Sequence, residues 1–100
     1  MRRRLIVQMG MGVGDTAGQA AERALADAQA RARLHVDVEC QVVVTLGVPV
    51  PSELDASGLN RAFGAGDMDL RVVPGGMAVA LPGGASLVVA SAAIEVFPLG

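Results

Sequence analysis

Three alternating glycines stand directly before an acidic residue where an apolar run meets a predicted helix: Gly10, Gly12 and Gly14 precede Asp15. Glycine lets the backbone turn sharply or approach another group closely. Free backbone N–H groups at a helix start bind polar ligands, and a neighbouring carboxylate can act as acid, base or hydrogen-bond acceptor. The pattern therefore predicts a small-molecule site formed by the three glycines, Asp15 and Gln19. A purely structural explanation stands beside it, since such glycines also allow a tight turn and close packing of the helix.

The glycine spacing also invites comparison with the dinucleotide-binding fingerprint G-x-G-x-x-G. Asp15 occupies the position where the third glycine of that fingerprint belongs. A carboxylate there would repel a pyrophosphate, and the sequence shows no repeated β-α-β units. The sequence therefore argues against dinucleotide binding, and we expect no cofactor.

Three further sets of residues could carry chemistry. Ser91 lies in an apolar strand without a neighbouring base, so it is either a nucleophile or a buried serine bonded to backbone. His35, Asp37 and Glu39 alternate along one strand face and could hold a divalent cation, although a hydrated polar face is favoured. Cys40 points to the opposite face of that strand, between valines, which predicts a buried thiol. The candidate catalytic residues are therefore Asp15 and Ser91, and we expect no metal site.

The apolar periodicity predicts one domain over residues 1–100 with the element order β-α-β-α-β-β-β. Ala20, Ala24 and Ala28 belong to an apolar stripe at helical spacing, and Thr16 with Gln19 forms a capping box at its start. The predicted ranges are 4–9, 35–46, 67–73, 77–81 and 86–97 for strands, and 16–33 and 52–61 for helices. This order indicates an α+β fold, a two-layer mixed β-sheet with one long and one short helix on one face.

The amino-acid composition indicates which kinds of molecule the chain can associate with. Of the 100 residues, 52% are hydrophobic, with no Trp, no Tyr and two Phe. So much aliphatic surface on a small body predicts a homo-oligomer. The net charge of −2 gives no broad attraction to nucleic acid. No segment approaches the ~20 apolar residues of a membrane span, so we expect no membrane partner.

Lysine and cysteine usage narrows the chemistry further. All eight basic residues are arginine, which excludes Schiff-base chemistry on lysine and any Ser-Lys dyad. A single cysteine allows no intrachain disulfide and fits a reducing interior. We therefore expect a cytoplasmic protein.

Over most of its length the chain resembles a family of uncharacterised bacterial and plant proteins that carry a GxGxDxHG motif after a strand near the N-terminus. The matched residues are Gly10-Met11-Gly12-Val13, Asp15, Gly18 and Gln19, with Gly14 as one inserted residue, followed by the stretches 46–49 and 89–93. Ala17 stands where the motif has histidine, so this chain lacks any acid–base role of that histidine. The resemblance implies the fold rather than an activity.

Residues 35–51 and the small-residue last strand are similar to one repeat of the cyanuric acid hydrolase and barbiturase family. Those enzymes arrange related α+β units around a pseudo-threefold axis, which implies that three copies of this chain form a trimer. The Ser-Lys pairs of that family have no counterpart in a chain without lysine. Two hypotheses follow. One is a homotrimer that binds a small polar metabolite at its subunit interface, hydrolase-like where catalytic; the other is a non-catalytic structural or interaction protein.

Overall fold

The computed structural model describes residues 6–32, 40–55, 58–59 and 68–98. The strands are β1 (Ile6–Gly14), β2 (Cys40–Val48), β3 (Met68–Pro74), β4 (Met77–Ala80) and β5 (Ser86–Pro98), and the long helix is α1 (Ala17–Ala32). Helix α1 packs on one face of a mixed five-stranded sheet, which confirms the predicted two-layer α+β fold. Of the short helix predicted over 52–61, the described residues show a 3-10 turn at Pro51–Glu53 and helical backbone at 58–59.

Strand β5 is the centre of the sheet. β1 pairs along one side of β5, and β2 and β4 pair along the other, all antiparallel to it. β3 lies outside β2 and runs parallel to it. Because β1 and β2 both run antiparallel to β5, their carboxyl ends lie at the same end of the sheet. The segments that follow these two strands are therefore brought to one place.

Helix α1 begins where its capping residues predict. The N–H of Gln19 donates to Thr16 Oγ1 at 3.2 Å, and the side-chain oxygen of Gln19 accepts from the N–H of Asp15 at 3.0 Å. This reciprocal cap satisfies donors at the helix start. The apolar stripe faces the sheet and is completely buried at Ala20, Ala21, Ala24, Leu25 and Ala28. Since alanine contributes little volume, the helix backbone lies close to the strands.

Strand β1 continues through the three glycines, where the sequence predicted a strand end at residue 9 and a tight turn. Gly10, Gly12 and Gly14 all pair in register with β5. Their other side faces α1: a Cβ added at Gly12 would meet the carbonyl oxygen of Ala20 and the amide nitrogen of Ala24. The predicted turn was wrong because glycines at i, i+2 and i+4 mark one face of a strand. This side-chain-free face lets α1 lie directly against the strand backbone.

The hydrophobic core lies between α1 and the sheet face that α1 covers. Its largest completely buried side chains are Leu25, Val44, Leu46, Val48, Ile94 and Val96. Among the described residues, no polar or charged side chain is buried. Within the described segments, groups that could do chemistry therefore lie outside this core.

The sheet surface opposite α1 carries an apolar patch on β1 and β5, which we call the open face. Val7, Met9, Met11 and Val13 of β1 lie on it and are between 42% and 64% exposed. Their neighbours in register on β5 are Glu95, Ala93, Ser91 and Val89. No helix of the described segments covers this patch. An exposed apolar patch of this kind marks an interaction surface.

The free edge of β1 is occupied by side chains of α1. Arg23 Nη1 donates to the carbonyl oxygen of Val13 at 2.6 Å, and the N–H of Met11 donates to Asp27 Oδ2 at 3.1 Å. Arg31 Nε donates to the same carboxylate oxygen at 3.3 Å. Two backbone groups of this edge, the N–H of Met11 and the carbonyl oxygen of Val13, are therefore already hydrogen-bonded and are not free to pair with another strand.

The carboxylate at this edge makes the stability depend on pH. The hydrogen bond from Met11, assisted by Arg31, lowers the pKa of Asp27. A depressed pKa contributes stability that is present above the unfolded-state pKa and is lost as the pH falls through the folded-state value. Asp27→Asn should therefore be less stable than wild type at neutral pH, and the difference should shrink below about pH 4.

Urea denaturation midpoints at about pH 7, 5 and 3 measure this difference. Glu22→Gln is the matched control, because it removes a carboxylate from an exposed position of the same helix. Identical pH profiles for the Asp27 and Glu22 variants would contradict the stabilising role of the edge carboxylate.

Candidate functional site

A pocket of about 550 Å³ opens at the end of the sheet where β1 and β2 finish. Three parts of the chain form it: the start of α1, the segment after β2, and the β4–β5 hairpin. Its lining residues are Asp15, Thr16, Ala17, Gly18, Pro49, Val50, Glu53, Asp55, Ala78, Ser86 and Val88. A cavity of this volume can hold a small metabolite.

The lining of the pocket carries three carboxylates and no basic side chain among the described residues. Asp55 is partly engaged, because its Oδ1 accepts the N–H of Gly58 at 3.1 Å. Asp15 and Glu53 are exposed, and no described residue donates to their carboxylate oxygens. Two negatively charged acceptors are therefore available to a ligand. In the described part of the chain, no group of three or more His, Cys, Asp or Glu residues is arranged to hold a metal ion.

The start of α1 adds hydrogen-bond donors to the same pocket. Ala17 and Gly18 both line it, and the first N–H groups of a helix have no acceptor within the helix. The next N–H, that of Gln19, is taken by Thr16. The N–H groups of Ala17 and Gly18 are thus left for an acceptor group of a ligand, beside the carboxylate of Asp15. One cavity combines backbone donors with anionic acceptors.

The two candidate catalytic residues lie apart in the single chain. Ser91 is on the open face, beside a second pocket of about 360 Å³ that Asp27 and Arg31 also line. It is three positions along β5 from Val88, which lines the first pocket; three residues of a strand span about 10 Å. Within one chain, Ser91 and Asp15 therefore belong to different cavities.

The predicted ligand-binding residues do not lie together in one pocket. Asp15 lines the larger pocket, and Gly10 lines the smaller one. Gly12 and Gly14 are buried against α1, and Gln19 caps that helix. A ligand contact for the glycines and Gln19 stays a prediction. The predictions for His35, Asp37, Glu39 and the Cys40 thiol fall outside the described residues.

Sequence reasoning did not assign Glu53 and Asp55 to the site. Ser52 and Asp55 fit a helix start, and the sequence alone gave no reason to place them beside Asp15, about forty positions away. The available signal was topological: two strands with parallel direction are each followed within a few positions by acidic residues. Once both strands pair with β5, these acidic residues meet at one end of the sheet.

The fold and the pocket define a small two-layer α+β protein with a polar cavity at one end of its sheet. The chain belongs to the family described as "Conserved hypothetical protein (Lin0512_fam)", whose model matches residues 4–96. This confirms the prediction of an uncharacterised family. Among the curated proteins, none matches the chain.

One solved structure is similar over nearly the whole chain. It is the crystal structure of an FtsZ-like protein of unknown function from Nostoc punctiforme, with 28% sequence identity and a TM-score of 0.77. The alignment covers 99% of this chain and 98% of that one. These comparisons concern family and fold, and they do not bear on the likeness to cyanuric acid hydrolase. Within the described residues, no helix is long and apolar enough to cross a membrane.

Proposed function

We propose that this chain is the subunit of a homo-oligomer, a trimer, that binds a small polar metabolite carrying a cationic nitrogen in the Asp15 pocket. The observation that carries the proposal is the pair of exposed carboxylates of Asp15 and Glu53, to which no described residue donates. A cationic nitrogen bound to either carboxylate forms charge-assisted hydrogen bonds, which are stronger than neutral ones.

The other walls of the pocket specify the rest of the ligand. The N–H groups of Ala17 and Gly18 favour a hydrogen-bond acceptor on the same molecule. Val50, Ala78 and Val88 supply apolar surface against which a short carbon skeleton can pack. An amine or guanidine that also carries a carbonyl or hydroxyl group matches all three features better than an inorganic cation does.

The oligomer completes the site in this proposal. Val50 lines the pocket and is 45% exposed, so a neighbouring subunit placed over it would exclude water from the cavity. In this arrangement, Ser91 of the neighbouring subunit could approach Asp15. The trimeric state itself is supported by the resemblance to one repeat of a pseudo-threefold enzyme family.

The hydrolase-like form of the proposal assigns roles to the same groups. Asp15 takes a proton from water, the oxygen of that water bonds to a carbonyl carbon of the ligand, and the N–H groups of Ala17 and Gly18 bind the oxyanion. When the tetrahedral species collapses, the bond to the leaving nitrogen breaks and the proton passes from Asp15 to that nitrogen. A non-catalytic interaction protein is the second candidate, which the apolar open face favours.

Asp15→Asn should weaken the binding of a cationic probe by about tenfold or more, because a hydrogen bond to a charged group contributes about 1.5–3 kcal/mol. Suitable probes are agmatine, argininamide and ethanolamine, with butanediol and urea as neutral counterparts. Thermal shift identifies a bound probe, and calorimetric titration gives its Kd.

Glu53→Gln should weaken binding in the same way, while Glu22→Gln, on the exposed surface of α1, should leave the Kd unchanged. If no cationic probe stabilises the wild type, or if Asp15→Asn binds as tightly, the binding function is refuted and the non-catalytic alternative stands.

A further inference from the structure

We infer that a second copy of this chain packs on the open face of the sheet, and that the free edge of β1 takes no part in the contact. This inference rests on the homo-oligomer of the proposed function and assigns the surface that forms it. Two independent features of the described residues support this inference: the exposed area of the apolar patch, and the hydrogen bonds from α1 side chains to the strand edge.

The patch is built from large side chains that are well exposed. Met9 and Met11 are 63% and 64% exposed, although methionine side chains are ordinarily placed in the interior. Together with Val7 and Val13 they expose on the order of 400 Å² of apolar surface, and a stable interface takes about 800 Å² from each partner. The four side chains therefore supply about half of an interface by themselves. The neighbouring row on β5 extends the same surface.

Two backbone groups on the strand edge beside the patch are already hydrogen-bonded to side chains of α1. A strand added to β1 would need the N–H of Met11 and the carbonyl oxygen of Val13. Asp27 and Arg23 already bind these two groups, at 3.1 and 2.6 Å. An incoming strand would have to displace two hydrogen bonds to charged side chains, which are stronger than the neutral bonds that would replace them. Association through the face leaves both bonds intact.

The charge pattern favours a second copy as the occupant. The two rows of the open face contain one charged residue, Glu95, and it is half-buried. Among the described residues, the next charges on this side of the sheet are Asp69 and Arg71 of β3, which form an ion pair within the chain at 3.2 Å. A second copy that packs on this surface therefore meets an apolar patch in which few like charges can oppose its own. A strongly charged partner would find no complementary charge in the patch.

The experiment is sedimentation velocity on the full chain between about 1 and 50 µM, in the range where specific interfaces are populated. Wild type should sediment as an oligomer, and the double variant Met9→Glu/Met11→Glu should sediment as a monomer over the same range. Ala26→Glu is the matched control, because it places the same charge at an exposed apolar position of α1, on the other side of the sheet. It should remain oligomeric.

A second measurement needs no variant and guards against misfolding of the double variant. Oxidation of wild-type Met9 and Met11 by dilute peroxide should be several-fold slower in the oligomer than in a sample diluted until sedimentation shows the monomer, since association removes them from solvent. A wild type that is monomeric throughout overturns both this inference and the oligomer of the proposed function. An oligomer that persists in the double variant, with Met9 and Met11 of wild type oxidised at equal rates in oligomer and monomer, overturns the open face alone.

Discussion

Gly12→Ala should destabilise the protein by about 3 kcal/mol or more, because overpacking against a rigid neighbour reaches the upper end of the usual range. The added methyl group would meet the carbonyl oxygen of Ala20 and the amide nitrogen of Ala24, and it would lie 2.7 Å from the Cβ of Arg23. Two of these atoms are helix backbone and cannot rotate away. The helix would have to move off the strand and expose the buried stripe on its inner face.

Gly18→Ala is the control for this prediction, since it makes the same chemical change within α1. A Cβ at Gly18 has nothing closer than Thr16 Oγ1 at 3.9 Å. Alanine is the better helix former, so this variant should gain up to about 1 kcal/mol. Chemical denaturation of both variants gives the two free energies of unfolding. A Gly12→Ala protein as stable as wild type would show that α1 does not lie directly on β1.

Gly76→Ala should be comparably harmful, at about 3 kcal/mol or more, because a positive-φ penalty of about 1–2 kcal/mol adds to overpacking. Gly76 has a φ of 65°, and its Cβ would meet the carbonyl oxygen of Val89 and lie 3.2 Å from that of Gly47. This is the point at which the chain leaves β3 and joins β5 as β4. The substitution should therefore detach β4, whose Ala78 lines the pocket, and so weaken ligand binding too.

Gly83→Ala separates the positive-φ penalty from the overpacking. Gly83 has a φ of 88°, but nothing lies within 4 Å of its Cβ position. The Gly83→Ala variant should therefore lose only the stability that corresponds to the positive-φ penalty, about 1–2 kcal/mol. Denaturation midpoints compare the two variants, and hydrogen exchange at Val79 reports whether β4 stays paired. Equal losses of stability in the two variants, with Val79 still protected in both, would contradict the close contact at Val89.

The sequence predicts the elements of this fold better than their ends. The period of the alanines in α1 is unambiguous, and the capping pair Thr16 and Gln19 places its start correctly. The range of β5 agrees within one residue of its predicted end. The predicted carboxyl end of β1 is wrong because glycine has no side chain, so the strand alternation cannot be recognised in the sequence there. Its three glycines suggested a turn in sequence, whereas in the sheet they form the contact with α1.

In the candidate site too, some residues can be recognised from their sequence neighbours and others only from the fold. Asp15 could be selected from its neighbours, because the change from strand to helix is visible in the sequence. Glu53 joins it only through the order of strands, in which β5 lies between β1 and β2. That order depends on pairing across the whole chain, and no local spacing encodes it. The same order explains why Ser91, on β5 itself, belongs to a different cavity.

The central position of β5 has a consequence for biosynthesis. β1, β2 and β4 all precede β5 in the chain, and each makes its antiparallel ladder with it. While these earlier segments leave the ribosome, the partner that joins them has not yet been translated, so the sheet cannot form from the nascent chain until β5 emerges. Such non-local pairing is slow and leaves strands exposed. Protection of the growing polypeptide by chaperones is therefore expected to matter more for this protein than for a helical bundle of equal length.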